Sequence, residues 1–204
     1  MRFQPLHKHA TTDQALLSAI KERWSPRSFS NQQPTMSILR KVFEAARWAP
    51  SASNEQPWRF IVGLKGDETY QKIFSTLDSY NQLWAGTAPV LMLNIANHSS
   101  KRHPGRQNRW AEYDLGQAMA YLSIQAMSEG LFAHQMGGFD AALASRLFGI
   151  PDDHVVVSVA VLGYPDDPDL LHLNLVEAEK AVRKRQDISE MVFFDKFGEP
   201  FQNW

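Results

Sequence analysis

The chain is 204 residues long and 44% hydrophobic, carries a formal net charge of -1 and contains no cysteine. That length suits one domain with a full hydrophobic core, and the balanced charge gives no general nucleic-acid or membrane-binding surface. With no thiol, disulfides, thiolate catalysis and cysteine-held metal clusters are excluded.

The first residues, MRFQPLHKHATTD, read as a polar lead-in without the apolar core of a signal peptide. No apolar run reaches the ~20 residues of a membrane-spanning helix, so a cytoplasmic location is expected. Thr11, Thr12 and Asp13 offer N-cap oxygens to a predicted helix carrying Ala15, Leu16, Ala19 and Ile20. That helix runs into RWSPRSF, residues 23–29. Arg23 and Arg27, four residues apart with Ser25 between them, suit a phosphate, because guanidinium groups supply both charge and paired donors. Pro26 has no amide hydrogen, so side chains must make more of the contacts there. A solvated basic turn is the alternative.

After Pro34, Thr35 caps a predicted amphipathic helix (Ile38, Leu39, Val42, Phe43, Ala46) that Pro50 ends. WAPSASNEQPW, residues 48–58, places Ser51, Ser53, Asn54 and Gln56 in a short loop between two tryptophans and two prolines. Prolines reduce the freedom the loop loses on binding, and its polar groups suit a planar, polar-edged aromatic ligand. A self-capping helix-to-strand connector is the alternative. Trp58, Phe60, Ile61 and Val62 open a strand that turns at 63–66. Tyr70, Ile73, Phe74 and Leu77 mark a short helix, with Asn81 and Trp84 just beyond it. APVLMLNIA, 88–96, reads as an interior strand. Residues 98–109 are polar and basic around Pro104-Gly105, and predict a surface excursion over a pocket.

Residues 110–129 repeat apolar positions at helical spacing (Leu115, Ala118, Met119, Leu122, Ala126) and predict a core or subunit-interface helix ended by Gly130. A short strand begins at Leu131. It leads to QMGGFD, 135–140, where the glycine pair can expose backbone amides to a close ligand. Asp140 caps a helix with Ala141, Leu143, Leu147 and Phe148 that stops at Gly149. Residues 155–162 form a second interior strand. A proline- and aspartate-rich turn, the basic Arg183-Lys184-Arg185 and an apolar ending (Met191, Val192, Phe193, Phe194) complete the tail, and that ending needs something to pack on.

The seven histidines are scattered. HExxH, GxSxG, GxGxxG and GxxxxGK[ST] are all missing, which removes the common routes to metal, serine-triad, dinucleotide-loop and ATP-loop chemistry. Anion-binding arginines, a polar loop and a glycine pair remain. Those are parts for holding a phosphorylated aromatic cofactor that itself carries the chemistry.

RWSPRSF, WAPSASNEQPWRFIVG and GGFDAALASRLFGIP followed by VAVLGYP resemble the motifs of the FMN-dependent nitroreductases, in the same order, over residues 16–191. The resemblance implies an α+β, nitroreductase-like fold: a central mixed β-sheet flanked by helices, a single domain over 1–204, and an intertwined homodimer with FMN at its interface. By that resemblance Arg23, Ser25 and Arg27, with Trp24 among them, hold the phosphate and the pyrimidine edge of the ring. Pro50, Ser51, Ala52 and Asn54 reach the same flavin from the other subunit. Asn81 touches the pyrimidine edge, Gly137 and Gly138 aim amides at the N5/O4 side, and Arg183 and Arg185 close over the phosphate. Trp24 is bulkier than the family's usual residue there, and Ala52 lacks a hydroxyl often present. The excursion 98–109 would lie over the active site, and an extension, 183–204, would pack on the partner. The implied activity passes hydride from NADH or NADPH through flavin N5 to an electron-poor acceptor such as a nitroaromatic, quinone or enone. The implied order is ping-pong, with no essential acid or base from the protein and no metal, nucleic acid or membrane as partner. Competing readings are an FMN-binding redox sensor or flavin scavenger without turnover, and a helical interaction module.

Overall fold

A computed structural model describes residues 6–200. Four strands, β1 (Trp58–Leu64), β2 (Val90–Asn97), β3 (Phe132–Met136) and β4 (His154–Gly163), form one sheet in the order β1-β2-β4-β3. Every pairing between neighbours in this sheet is antiparallel, which corrects the expectation of a mixed sheet. The reason lies in the connectivity. β2 and β3 point the same way and are joined by a helical crossover, as in a parallel pair, but β4 runs back between them.

Helices cover both faces, giving an α+β layered fold. On one side α2 (Met36–Arg47) packs against α5 (Ala111–Ser128), and α5 against the sheet. On the other lie α3 (Glu68–Thr76), α4 (Ser79–Ala85) and α6 (Ala141–Phe148). β2 sends Val90, Met92 and Ala96 to the α5 side and Leu91, Leu93 and Ile95 to the other. Being buried on both faces, it reads in sequence as one apolar run.

Several local expectations match. Thr35 Oγ1 accepts from Ile38 N (3.3 Å) and Asp140 Oδ1 from Leu143 N (2.8 Å), each capping its helix. Gly130 and Gly149 follow α5 and α6 with left-handed φ of 73° and 59°. One expectation does not, and two helices had no counterpart in the sequence reading. The first helix, α1, spans only Ser18–Glu22: Thr11–Asp13 do not cap it, and Ala15 and Leu16 lie outside. Five residues are too few to hold a helix alone, and α1 rests on α5. Asn81 and Trp84 belong to a separate helix, α4, whose N-cap Asp78 accepts from Asn81 N at 2.7 Å. Finally, α7 (Leu173–Lys180) was not foreseen. Its two buried side chains, Leu175 and Glu179, stand at i and i+4, and a carboxylate in the second place breaks the apolar repeat.

Among the described residues no helix is long and apolar enough to cross a membrane. Residues 1–5 of the lead-in and 201–204 of the predicted extension lie outside the described residues.

Candidate active site

The 23–29 turn is fastened where β4 ends. Phe29 bridges Pro165, Ser30 N donates to Tyr164 O (2.9 Å) and Ser28 Oγ to Asp167 O (2.7 Å). Arg23 Nη1 reaches Ser25 Oγ at 3.3 Å. Arg183, just past α7, donates through Nη1 to the carbonyls of Lys8 (2.7 Å) and Lys21 (3.2 Å), so the segment after α7 meets the segment around α1 here. Burial lowers the pKa of Arg23, and the charges of Arg183 and Arg185 push the same way. Burial followed by Arg185 does the same to Arg183. Arg23 thus feels the charges of two arginines remote from it in sequence, a repulsion that a bound anion relieves. Beside it runs a groove of about 1200 Å³, lined among others by Ala10, Gln14, Arg183, Arg185 and Ile188.

Arg27 and Trp24 have partners of their own within the turn's surroundings. Arg27 Nη1 lies 3.6 Å from Oε2 of Glu179, a carboxylate that is 1% exposed. Trp24 is buried, edge-on to Phe132, with Lys8 Nζ 4.7 Å from its ring centre, so its indole serves the packing of the turn.

β3 connects the turn to the glycine pair. His134 Nδ1 lies 2.8 Å from Pro26 O, and since a carbonyl only accepts, Nδ1 carries the proton. Burial pushes the His134 pKa down to about 4, the Pro26 hydrogen bond opposes this, and Arg27 and Arg23 add to it. The imidazole is therefore neutral at pH 7, with its ring 4.5 Å from that of Trp84. Beyond β3, Gly138 O accepts from Asp78 N (3.0 Å) and Asn81 Nδ2 (3.0 Å). A Cβ on Gly138 would fall 2.0 Å from Asp78 Oδ2, whereas one on Gly137 would meet nothing within 4 Å. The close approach explains the second glycine, and the first has open space beside it. Asn81, Gly137 and Gly138 converge on the flank that His134 joins to the turn.

The 50–54 loop hangs elsewhere. β1 starts at Trp58 opposite Ala96, at the end of the sheet where β4 begins. The ten residues of β4 separate that end from the Phe29 anchor by about 30 Å, at roughly 3.3 Å per residue. Within one chain, therefore, Pro50, Ser51, Ala52 and Asn54 are not brought to the arginine cluster. Ala52 N donates to Asp114 Oδ2 (3.0 Å) and Gln56 N to Ser51 Oγ (3.0 Å). Ser53, Asn54 and Gln56 hold φ of 52°, 55° and 49°, left-handed conformations that cost a non-glycine residue about 1–2 kcal/mol each. The two tryptophans have different surroundings. Trp58 is in the core, while Trp48 Nε1 donates to Glu44 (2.9 Å) and its ring lies under Arg47. Buried Glu55 accepts from Lys101 N (2.8 Å) and Arg102 N (3.1 Å), tying the exposed 98–109 excursion to this loop.

Sequence reasoning missed four anchoring residues: Glu179, His134, Asp114 and Glu55. Asp114 left a signal, since it falls on the buried stripe of α5 with Ala111, Leu115 and Ala118. Burial raises its pKa, opposed by the Ala52 amide and Gln117. The other three carry no periodic mark.

An arginine cluster and a glycine with open space beside it stand on a layered α+β frame. The chain belongs to the nitroreductase family, whose model matches residues 20–164. It is 32% identical over 171 residues to a putative NADH dehydrogenase/NAD(P)H nitroreductase of Methanothermobacter thermautotrophicus, covering 78% of this chain and 86% of that protein. A solved oxidoreductase containing FMN aligns with a TM-score of 0.88 and 30% identity, over 96% of this chain and 100% of that one. A putative nitroreductase from Desulfovibrio desulfuricans, solved in complex with FMN, shares the fold with a TM-score of 0.71 at 21% identity, covering 91% and 99% of the two chains.

Proposed function

We propose that the protein is an NAD(P)H-dependent FMN oxidoreductase that reduces an electron-poor small molecule, such as a nitroaromatic, quinone or enone. The single observation carrying this reading is the arginine cluster. Arg23 and Arg183 are perturbed by burial and by neighbouring arginines, Arg185 among them, and no carboxylate is among the causes, which suits a dianionic phosphate. In this reading Arg23, Ser25, Arg183 and Arg185 hold the phosphate. Asn81, Gly137 and Gly138 receive the ring on the open side of the glycine pair. FMN, when bound, supplies reversible two-electron chemistry, and the protein supplies position, charge and exclusion of water. Donor and acceptor would occupy one face in turn, a ping-pong order that demands no acid or base from the chain.

The loop at 50–54 completes the site from a second copy in this reading. Its distance from the arginines within one chain supports that, as do large apolar side chains left exposed at the start of α1 and on α5. Leu17 is 71% and Tyr113 67% exposed, with the bare Gly116 beside Tyr113 on α5.

Purified protein should carry flavin absorbance, bleach with NADH or NADPH under anaerobic conditions and recover with a suitable acceptor. Flavin uptake without bleaching would favour a sensor or scavenger. Failure to take up FMN would leave only an interaction module.

A further inference from the structure

The carboxylate of Glu179 is 1% exposed and has two cations, Arg27 and Lys8, close to it. Its Oε1 accepts from two consecutive backbone amides, Arg27 N at 2.7 Å and Ser28 N at 3.2 Å. Its Oε2 makes no hydrogen bond and stands 3.6 Å from Arg27 Nη1, an ion-pair separation. Its backbone carbonyl takes Lys8 Nζ at 2.7 Å. A buried charge is tolerated only where it is paired and hydrogen-bonded, and here every partner belongs to the N-terminal part of the chain. Four residues further on, Arg183 returns to Lys8 and Lys21. One short segment after α7 begins thus sets the backbone of the 23–29 turn and delivers the arginines that face it.

We propose that Glu179 is the positioning residue of the anion site. It fixes the turn through the Arg27 and Ser28 amides and offsets the Arg27 charge, leaving the phosphate to Arg23, Arg183 and Arg185. This rests on the reading of that cluster as a phosphate site. Geometry and charge make different demands. The amide bonds need the full length of the side chain, and an uncharged acceptor of the same length can still make them. Arg27, already matched by a carboxylate, is not itself a phosphate ligand.

The test titrates the protein with FMN and with riboflavin, which differ only by the phosphate, and compares the ratio of their Kd values. Wild type should prefer FMN. Glu179→Gln keeps reach and loses charge, and should hold the ratio to within about threefold. Glu179→Asp keeps charge but is one methylene short. It should lose at least about tenfold of the ratio, roughly one charge-assisted hydrogen bond, with riboflavin affinity nearly unchanged. Arg27→Gln should leave the ratio within about threefold, and it keeps the question answerable if the Asp variant does not fold. An unchanged ratio in Glu179→Asp, parallel weakening of both flavins, or a tenfold loss in Arg27→Gln would each overturn the proposal. A wild type that does not distinguish the two flavins would instead remove the phosphate reading, and Glu179's role with it.

Discussion

The 23–29 turn and the 50–56 loop are both short polar segments built around proline, yet they are held in opposite ways. The turn is pinned on several sides by its own chain, through Glu179, Asp167, Tyr164 and His134, and the cost it carries is charge repulsion among arginines. The loop hangs from Asp114 and carries its cost in the backbone, at three left-handed residues. A fixed turn loses little entropy when it meets an anion, so it suits the charged end of a cofactor. A strained loop at a far end of the sheet suits a surface completed by something outside its own chain.

Removing Arg183 should have the largest effect. Arg183→Ala is expected to weaken FMN binding about ten- to a hundredfold, one or two charge-assisted hydrogen bonds, with little change for riboflavin. Because the same guanidinium ties Lys8 to Lys21, its melting temperature should also fall. Arg185 is exposed and, among the described residues, its side chain bonds only Lys184 O, so Arg185→Ala should weaken FMN without that thermal cost. Equal losses for FMN and riboflavin would erase the charged character of the turn. Next comes the glycine pair. Gly138→Ala drives a methyl onto Asp78, the N-cap of α4, and should cost about 1–3 kcal/mol in urea unfolding, while Gly137→Ala should cost little.

A smaller effect tests the link between turn and β3. His134 has its pKa lowered from 6.5 to about 4 in the folded state, so between those values the unfolded chain binds more protons. Stability should therefore rise with pH from about 4 to about 6.5, contributing about 1–3 kcal/mol in all. His134→Gln should flatten that part of a melting-temperature profile, and an unaltered slope would place the titration elsewhere. The smallest change concerns the loop. Ser53→Gly relieves a left-handed residue and should stabilise the protein by about 0.5–1 kcal/mol, less the entropy that glycine adds to the unfolded chain. A loss of stability would deny that strain.

Elements whose cause is local were legible in the sequence. Thr35, Asp140, Gly130 and Gly149 mark helix ends through their own side chains or lack of one, and β2 shows its two-faced burial as an apolar run. Antiparallel order was not legible, because whether β4 sits beside β2 or beyond it depends on pairing across the whole chain. The motif residues of the candidate site were legible as motifs, but their anchors were not. Glu179 acts across 152 residues of sequence on Arg27, and no spacing rule connects the two. The packing of Trp24 on Phe132 and the hydrogen bond of Trp48 to Glu44 were likewise not legible from the motifs they flank.

The central claim is that one chain's arginine turn and another chain's 50–54 loop make one FMN site. Sedimentation velocity on FMN-loaded protein, followed both in the ultraviolet and at the flavin absorbance, tests it directly. All bound flavin should travel with a species of twice the 23.2 kDa chain mass, and dilution to monomer should release it. Flavin travelling stably with a 23.2 kDa monomer would contradict the account.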